Sequence, residues 1–186
     1  YFENDIYEIW LSDAKKLFSS QIIKWFKESE IIEIFDKEID RYSEIENGNS
    51  LAKKNELELP LTAEQKSAVE VINTSIDADN FKPYLLFGVT GSGKTLVYLH
   101  TIEHTLRHGK SALLLVPEIS LTPQLIDRFA KVFGGEIAVF HSKMSEGERF
   151  DAFRSTQSGK AKIVIGARSA LFAPLKNLGL IIVDEE

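Results

Sequence analysis

Residues 88–95 read GVTGSGKT. Glycine at Gly88, Gly91 and Gly93 lets the backbone wrap tightly and turn its N–H groups inward, which is what a bound phosphate requires. Thr90 and Ser92 complete the cradle. Lys94 adds a point charge within reach of β- and γ-phosphates, and Thr95 offers a hydroxyl to Mg2+. The pattern G-x-x-x-x-G-K-[ST] is specific, with a chance match in a chain of this size below about one in a hundred. The alternative is a glycine-rich turn with a solvated lysine. A second set of residues lies at "LIIVDEE" (180–186), an apolar run ending in three acids. Asp184 is placed to hold Mg2+ directly or through water. Glu185 is placed to polarise an attacking water, so Glu185 and Lys94 are the catalytic candidates. Glu186 reads as a solvated or coupling acid. Acids often follow strands, so the triplet alone is weak evidence, and a purely structural acidic turn is its alternative. Paired with the phosphate loop it becomes strong.

These residues need a frame. Downstream of residue 60 the chain alternates. "TAEQKSAVEVINTS" is helical, with Thr62 as N-cap and Gln65 at N3. "YLLF" reads as a buried strand leading into the glycine loop, and "TLVYLHTIEHTLRHG" as a helix ended by Gly109. The strand "ALLLV", the helix "LTPQLIDRFAKVFG", the strand "IAVF", the helix "SEGERFDAFRSTQSG" and the strands "KIVIG" and "LGLIIV" follow. Apolar strands separated by helices predict an α/β fold: a parallel sheet covered by helices on both faces, with its ligand at the carboxyl ends of the strands.

Upstream, residues 1–42 form a smaller α+β piece. "AKKLFSSQIIKWFKES" suits one or two short helices with a single buried face, and "IIEIF" with "EIDRY" suits a two-stranded ribbon. Helix then ribbon is the closing half of a winged helix, and a plain αβ fragment is the alternative. Residues 43–60 are polar, carry Asn-Gly and a late proline, and read as a linker. The larger unit covers 61–186.

Composition narrows the class. The chain has 186 residues, 44% hydrophobic, with no cysteine, which excludes disulfides and thiolate metal sites within it. No apolar run approaches the length of about 20 residues that spans a membrane, and "YFENDIYEIW" lacks the basic start of a signal peptide. A cytoplasmic location is expected. The net charge of −6 is uneven: residues 1–60 hold 14 acids and 8 bases, so the remainder is neutral overall. No broad basic face is present, and any nucleic-acid contact must come from local groups. The start at Tyr1 and the end at "IIVDEE" read as an internal piece of a longer protein.

Five blocks in order carry a family resemblance: "LTAEQ" (61–65), "GVTGSGKT" (88–95), "VPEISLTPQ" (116–124), "HSKMSEGER" (141–149) and "IGARSALFAPLKNLGLIIVDEE" (165–186). The chain resembles the primosomal protein N′ (PriA) family, replication-restart helicases of superfamily 2. The resemblance is strong over 61–186 and suggestive over 14–42, and residues 1–13 carry nothing specific. It implies a RecA-like P-loop lobe preceded by a winged helix, with ATP and Mg2+ as cofactors. It implies an ATP-dependent DNA helicase that moves 3′ to 5′ at stalled or branched forks. Branched or single-stranded DNA, primosome proteins and single-strand-binding protein are the implied partners.

By the same resemblance Gln65 reads adenine; a capping-box role is the other reading. Pro117, Glu118 and Thr122, then His141 and Ser142, then Arg168 and Ser169, fall in loops that meet the DNA strand. Each has a plainer reading. Glu118 and Thr122 suit a helix start, His141 a strand end, and Arg168 an ion pair. A second RecA-like lobe with its arginine finger, and a zinc-binding cysteine region, are implied outside this sequence. The expectation follows that the 186 residues alone bind nucleotide weakly and do not hydrolyse it. Two other functions fit parts of the pattern. One is a nucleotide-switched binding module, and the other a restriction-type or recombination translocase. "PEISLTPQ" and "ARSALFAP" argue against the latter.

His100, His104 and His108 recur every four residues on the helix after the glycine loop, a spacing that can ligate a metal. With no acid or cysteine completing the set on that stripe, a solvated face is the expectation.

Overall fold

The computed structural model describes residues 9, 11–34 and 56–184. The chain divides into two compact units, residues 1–39 and 40–186. In the first, α1 (Leu11–Leu17) and α2 (Ser20–Glu28) follow one another. Ser19 caps α2 by accepting the N–H of Ile22, and Phe18 meets Phe26 edge-on at 5.9 Å. Ile31 to Ile34, the described part of the expected ribbon, form no strand, and the rest of that ribbon lies outside the described residues.

The second unit is built on a four-stranded parallel sheet in the order β2-β3-β1-β4. Its elements are α3 (Ala63–Asp77), α4 (Lys94–Arg107), β1 (Ser111–Leu115), α5 (Pro123–Phe133), β2 (Ile137–Phe140), α6 (Glu146–Ser158), β3 (Ile163–Gly166) and β4 (Leu178–Val183). Short 3₁₀ turns at Gly134–Glu136 and Arg168–Phe172 join them. The strand registers keep two faces distinct. Leu114 pairs with Ile165 and with Ile182, while Leu113 pairs with Val164 and Ile181. The first set points into a core closed by Leu99 and Ile102 of α4 and Phe129 of α5. Of the second, Leu113 and Val164 point into a smaller core closed by Ala152 of α6 and by Ala170. Thr101 and Thr105, fully inside on α4, satisfy their hydroxyls on the carbonyls of Val97 and Thr101 one turn back.

The α/β class and the parallel sheet with helices on both faces are as expected. Two details differ. The "YLLF" stretch is extended but joins no ladder among the described residues, and Leu85 and Phe87 are each 90% exposed. Only Leu86 packs on the core. An apolar run becomes a buried strand only with neighbours on both sides, and here a groove of about 820 Å³ lies between this stretch and β4. The second face is also incompletely covered: Ile181 and Val183 on β4 stand about half exposed beyond the reach of α6. Within the stretch expected to be linker, Glu56 pairs with Arg128 through both Nε (2.8 Å) and Nη2 (2.7 Å), and Leu57 packs on the first core. No helix among the described residues is long and apolar enough to cross a membrane.

Candidate nucleotide site and carboxyl-edge loops

The phosphate loop sits where the extended 81–88 stretch turns into α4. Gly91 and Gly93 both take φ of +81°, a conformation that ordinary side chains resist. At Gly93 a Cβ would also stand 2.4 Å from Gln65 Nε2. Thr90 and Gly91 form the exposed turn, and the Ser92 N–H closes it on the Val89 carbonyl at 3.1 Å. Gly93 is the N-cap of α4, so Lys94 and Thr95 occupy its first turn, where free N–H groups and the positive helix end favour an anion. Lys94 Nζ donates to the carbonyls of Gly88 (2.7 Å) and Val89 (3.4 Å), which holds the ammonium over the loop.

Gln65 serves two ends at once. Its Oε1 accepts the Thr62 N–H at 3.0 Å, completing the capping box of α3, and its Nε2 donates to the Ser92 carbonyl at 3.0 Å. The capping box is therefore formed, and the same amide also braces the phosphate loop.

Asp184 follows β4. Its N–H donates to the Leu115 carbonyl at 2.9 Å, and its Oδ1 accepts the Tyr98 hydroxyl at 2.7 Å. Tyr98 is three residues beyond Thr95 on α4. Sequence reasoning missed Tyr98. Its only signal is an aromatic hydroxyl one turn after the phosphate loop, which says nothing of its partner until β4 is docked. Thr95 and Asp184 are hard oxygen donors, the kind Mg2+ takes.

A model for the type III restriction enzyme res subunit matches residues 58–186. The chain belongs to that family. Among individual relatives, the replication restart protein PriA of Bacillus subtilis is 55% identical over 128 residues, 69% of this chain and 16% of the relative. PriA of a Synechocystis species is 43% identical over 181 residues, 96% of this chain and 21% of the relative. PriA of Helicobacter pylori strain J99 is 57% identical over 102 residues, 55% of this chain and 16% of the relative. The chain thus spans about a fifth or less of the length of these relatives, and the resemblance to the PriA line of superfamily 2 is borne out.

In this res-subunit-family lobe, parallel strands bring the loops after β1, β2 and β3 to the same carboxyl edge as Asp184. Glu118, after β1, accepts the Ser142 N–H at 3.1 Å and also the Ser142 hydroxyl, so the first two loops are tied together. The Ser142 hydroxyl and then its amide, with His141 and Lys143 nearby, hold the Glu118 carboxyl below its ordinary value. Pro117 leads the first loop, its carbonyl accepting the Ser120 N–H at 2.8 Å. Thr122 caps α5 by accepting the Leu125 N–H at 3.3 Å, its plainer reading. The His141 N–H points to Met144 Sδ at 3.4 Å. Arg168 and Ser169 open an exposed 3₁₀ turn after β3. Glu185 and Glu186 lie outside the described residues.

The histidine stripe departs from its expectation. His100 is only partly exposed: its Nε2 is buried without a hydrogen-bond partner, and burial pushes its imidazole pKa down. His104 and His108 meet an acid after all, Asp77 at the end of the neighbouring α3.

Proposed function

We propose that this chain is the ATP-binding part of a DNA helicase or translocase that acts at stalled or branched forks in replication restart, moving 3′ to 5′. The observation that carries the reading is the meeting of phosphate loop and β4 acid at one helix: Lys94 and Thr95 open α4, and Tyr98 on the same helix holds Asp184. A loop cradle with its own ammonium and two hard oxygen donors fits magnesium–ATP. When bound, that group supplies a γ-phosphoryl whose transfer to water releases the energy for movement. The chain's part is to bind and orient. Lys94 moves from the carbonyls of Gly88 and Val89 to the phosphates, Thr95 and Asp184 hold the metal, Gln65 reads the base, and Glu185 orients the attacking water.

The carboxyl-edge loops are proposed to line the path of the DNA strand. Arg168, Ser169, His141, Thr122 and the backbone near Pro117 supply donors for phosphate oxygens. A carboxylate repels phosphate, and Glu118 takes both donors of Ser142, so this pair acts there as the brace that ties the two loops together. Primosome proteins, single-strand-binding protein and a zinc-binding region belong to the whole protein on the strength of the resemblance. In-line displacement needs charge on both sides of the γ-phosphate, and the resemblance puts the second charge on another lobe. The 186 residues alone therefore bind nucleotide without turning it over.

Titration of a fluorescent ATP analogue with Mg2+ into the chain and into Lys94→Ala tests the site. Binding lost in the variant supports the assignment. Equal binding by both overturns it.

A further inference from the structure

Asp77, His104 and His108 converge where two helices end. Asp77 is the last residue of α3, and His108 is the C-cap of α4, four residues after His104. Asp77 Oδ1 stands 2.6 Å from His104 Nε2 and 3.2 Å from His108 Nε2, and the two rings lie 4.4 Å apart. His108 Nδ1 is 2.9 Å from the His104 carbonyl. A carbonyl only accepts, so Nδ1 carries a proton and the tautomer is fixed. That leaves a lone pair on His108 Nε2 facing a carboxylate oxygen. Two acceptors at that distance repel unless a cation joins them. The cation is either a proton or a metal ion.

Three features favour a metal. The three ligand atoms already lie within 4.8 Å of one another. Donors at about 2.0–2.1 Å from a tetrahedral Zn2+ stand about 3.3 Å apart, so small rotations of half-exposed side chains close the set. The Nδ1–H to carbonyl bond is the outer contact that orients a metal-binding imidazole. The negative ends of two helices meet here, which favours a cation. The neighbouring side-chain cations have other acids: Lys110 pairs with Asp79 at 2.6 Å, and Arg107 pairs with Glu103. Asp77 is left to the imidazoles.

We propose that Asp77, His104 and His108 bind one divalent transition ion of the borderline class, Zn2+ or Ni2+, with water completing the shell. The ion staples the ends of α3 and α4, the two helices whose other ends carry Gln65 and Lys94. The site contains no cysteine and is separate from the Thr95 and Asp184 pair.

Calorimetric titration of ZnCl2 into the 186-residue chain at about pH 8, where proton competition is weak, tests it. One ion per chain is expected. Affinity should fall at least about tenfold in Asp77→Asn, His104→Ala and His108→Ala, and hold in His100→Gln. Ring ¹⁵N shifts of the unaltered protein give a readout that no misfolded variant can confuse. Of the four histidines, only His104 and His108 should move on adding Zn2+. Absence of binding, affinity indifferent to the three substitutions, or shifts at His100 or His141 instead would overturn the proposal.

Discussion

The Tyr98 hydroxyl donates to Asp184 Oδ1 at 2.7 Å, joining residues 86 apart in the chain. The bond couples α4, with Lys94 and Thr95 in its first turn, to the end of β4. It fixes the carboxylate from one side, while the ladder bond from the Asp184 N–H to Leu115 fixes the backbone from the other.

Tyr98→Phe keeps the ring and removes only the donor. A hydrogen bond to a charged group contributes about 1.5–3 kcal/mol, and the only partial burial of this one puts it near the low end. We expect a loss of about 1–2 kcal/mol in urea denaturation, and weaker dependence of nucleotide binding on Mg2+. An unchanged denaturation midpoint contradicts the role of the bond.

Gly93→Ala and Gly91→Ala separate strain from collision. Both sites have φ of +81°, but a Cβ at Gly91 meets nothing within 4 Å, whereas at Gly93 it meets Gln65 Nε2 at 2.4 Å. Backbone strain alone costs about 1–2 kcal/mol. Gly93→Ala should lose more than Gly91→Ala in thermal melts and should detach Gln65 from the loop. Equal losses would show that the Gln65 contact does not matter.

The Glu118–Ser142 tie has a pH signature. The lowered carboxyl of Glu118 releases its proton more readily folded than unfolded. The stabilisation it brings is complete above its ordinary 4.5 and is lost as pH falls through the lowered folded value. Ser142→Ala should move the Glu118 titration, followed by carboxyl ¹³C shifts, up toward the ordinary value. A curve that stays in place contradicts the assigned cause.

His100 titrates with the opposite chemistry. Burial lowers its imidazole from the ordinary 6.5, with Glu103 opposing. The unfolded chain then takes up the proton first, so stability is unaffected above 6.5 and falls as pH drops through that value. His100→Leu should flatten this part of the stability profile. A profile of unchanged slope would place the effect elsewhere.

Short-range chemistry was legible in the sequence, and long-range pairing was not. The capping boxes Thr62–Gln65 and Ser145–Glu148 span three residues each, so their helix starts could be read directly. β2 spans the same "IAVF" that its composition marks, and β1, β3 and β4 fall within a residue of theirs, because those runs are apolar apart from a polar residue at an end. "YLLF" has the same composition, yet composition cannot supply the neighbours that make a strand. Gln65 on Ser92, Glu118 on Ser142, Tyr98 on Asp184 and Asp77 on His104 each join elements that meet only after the sheet and helices dock. The glycine loop was legible because its glycines and lysine are local requirements of a phosphate. The partners that brace it belong to the fold.

The most direct test of the account is ATP hydrolysis by the full-length protein, with and without branched DNA, beside Lys94→Ala. The account predicts hydrolysis strongly stimulated by the fork and abolished in the variant. Hydrolysis indifferent to DNA, or surviving the loss of Lys94, would contradict it.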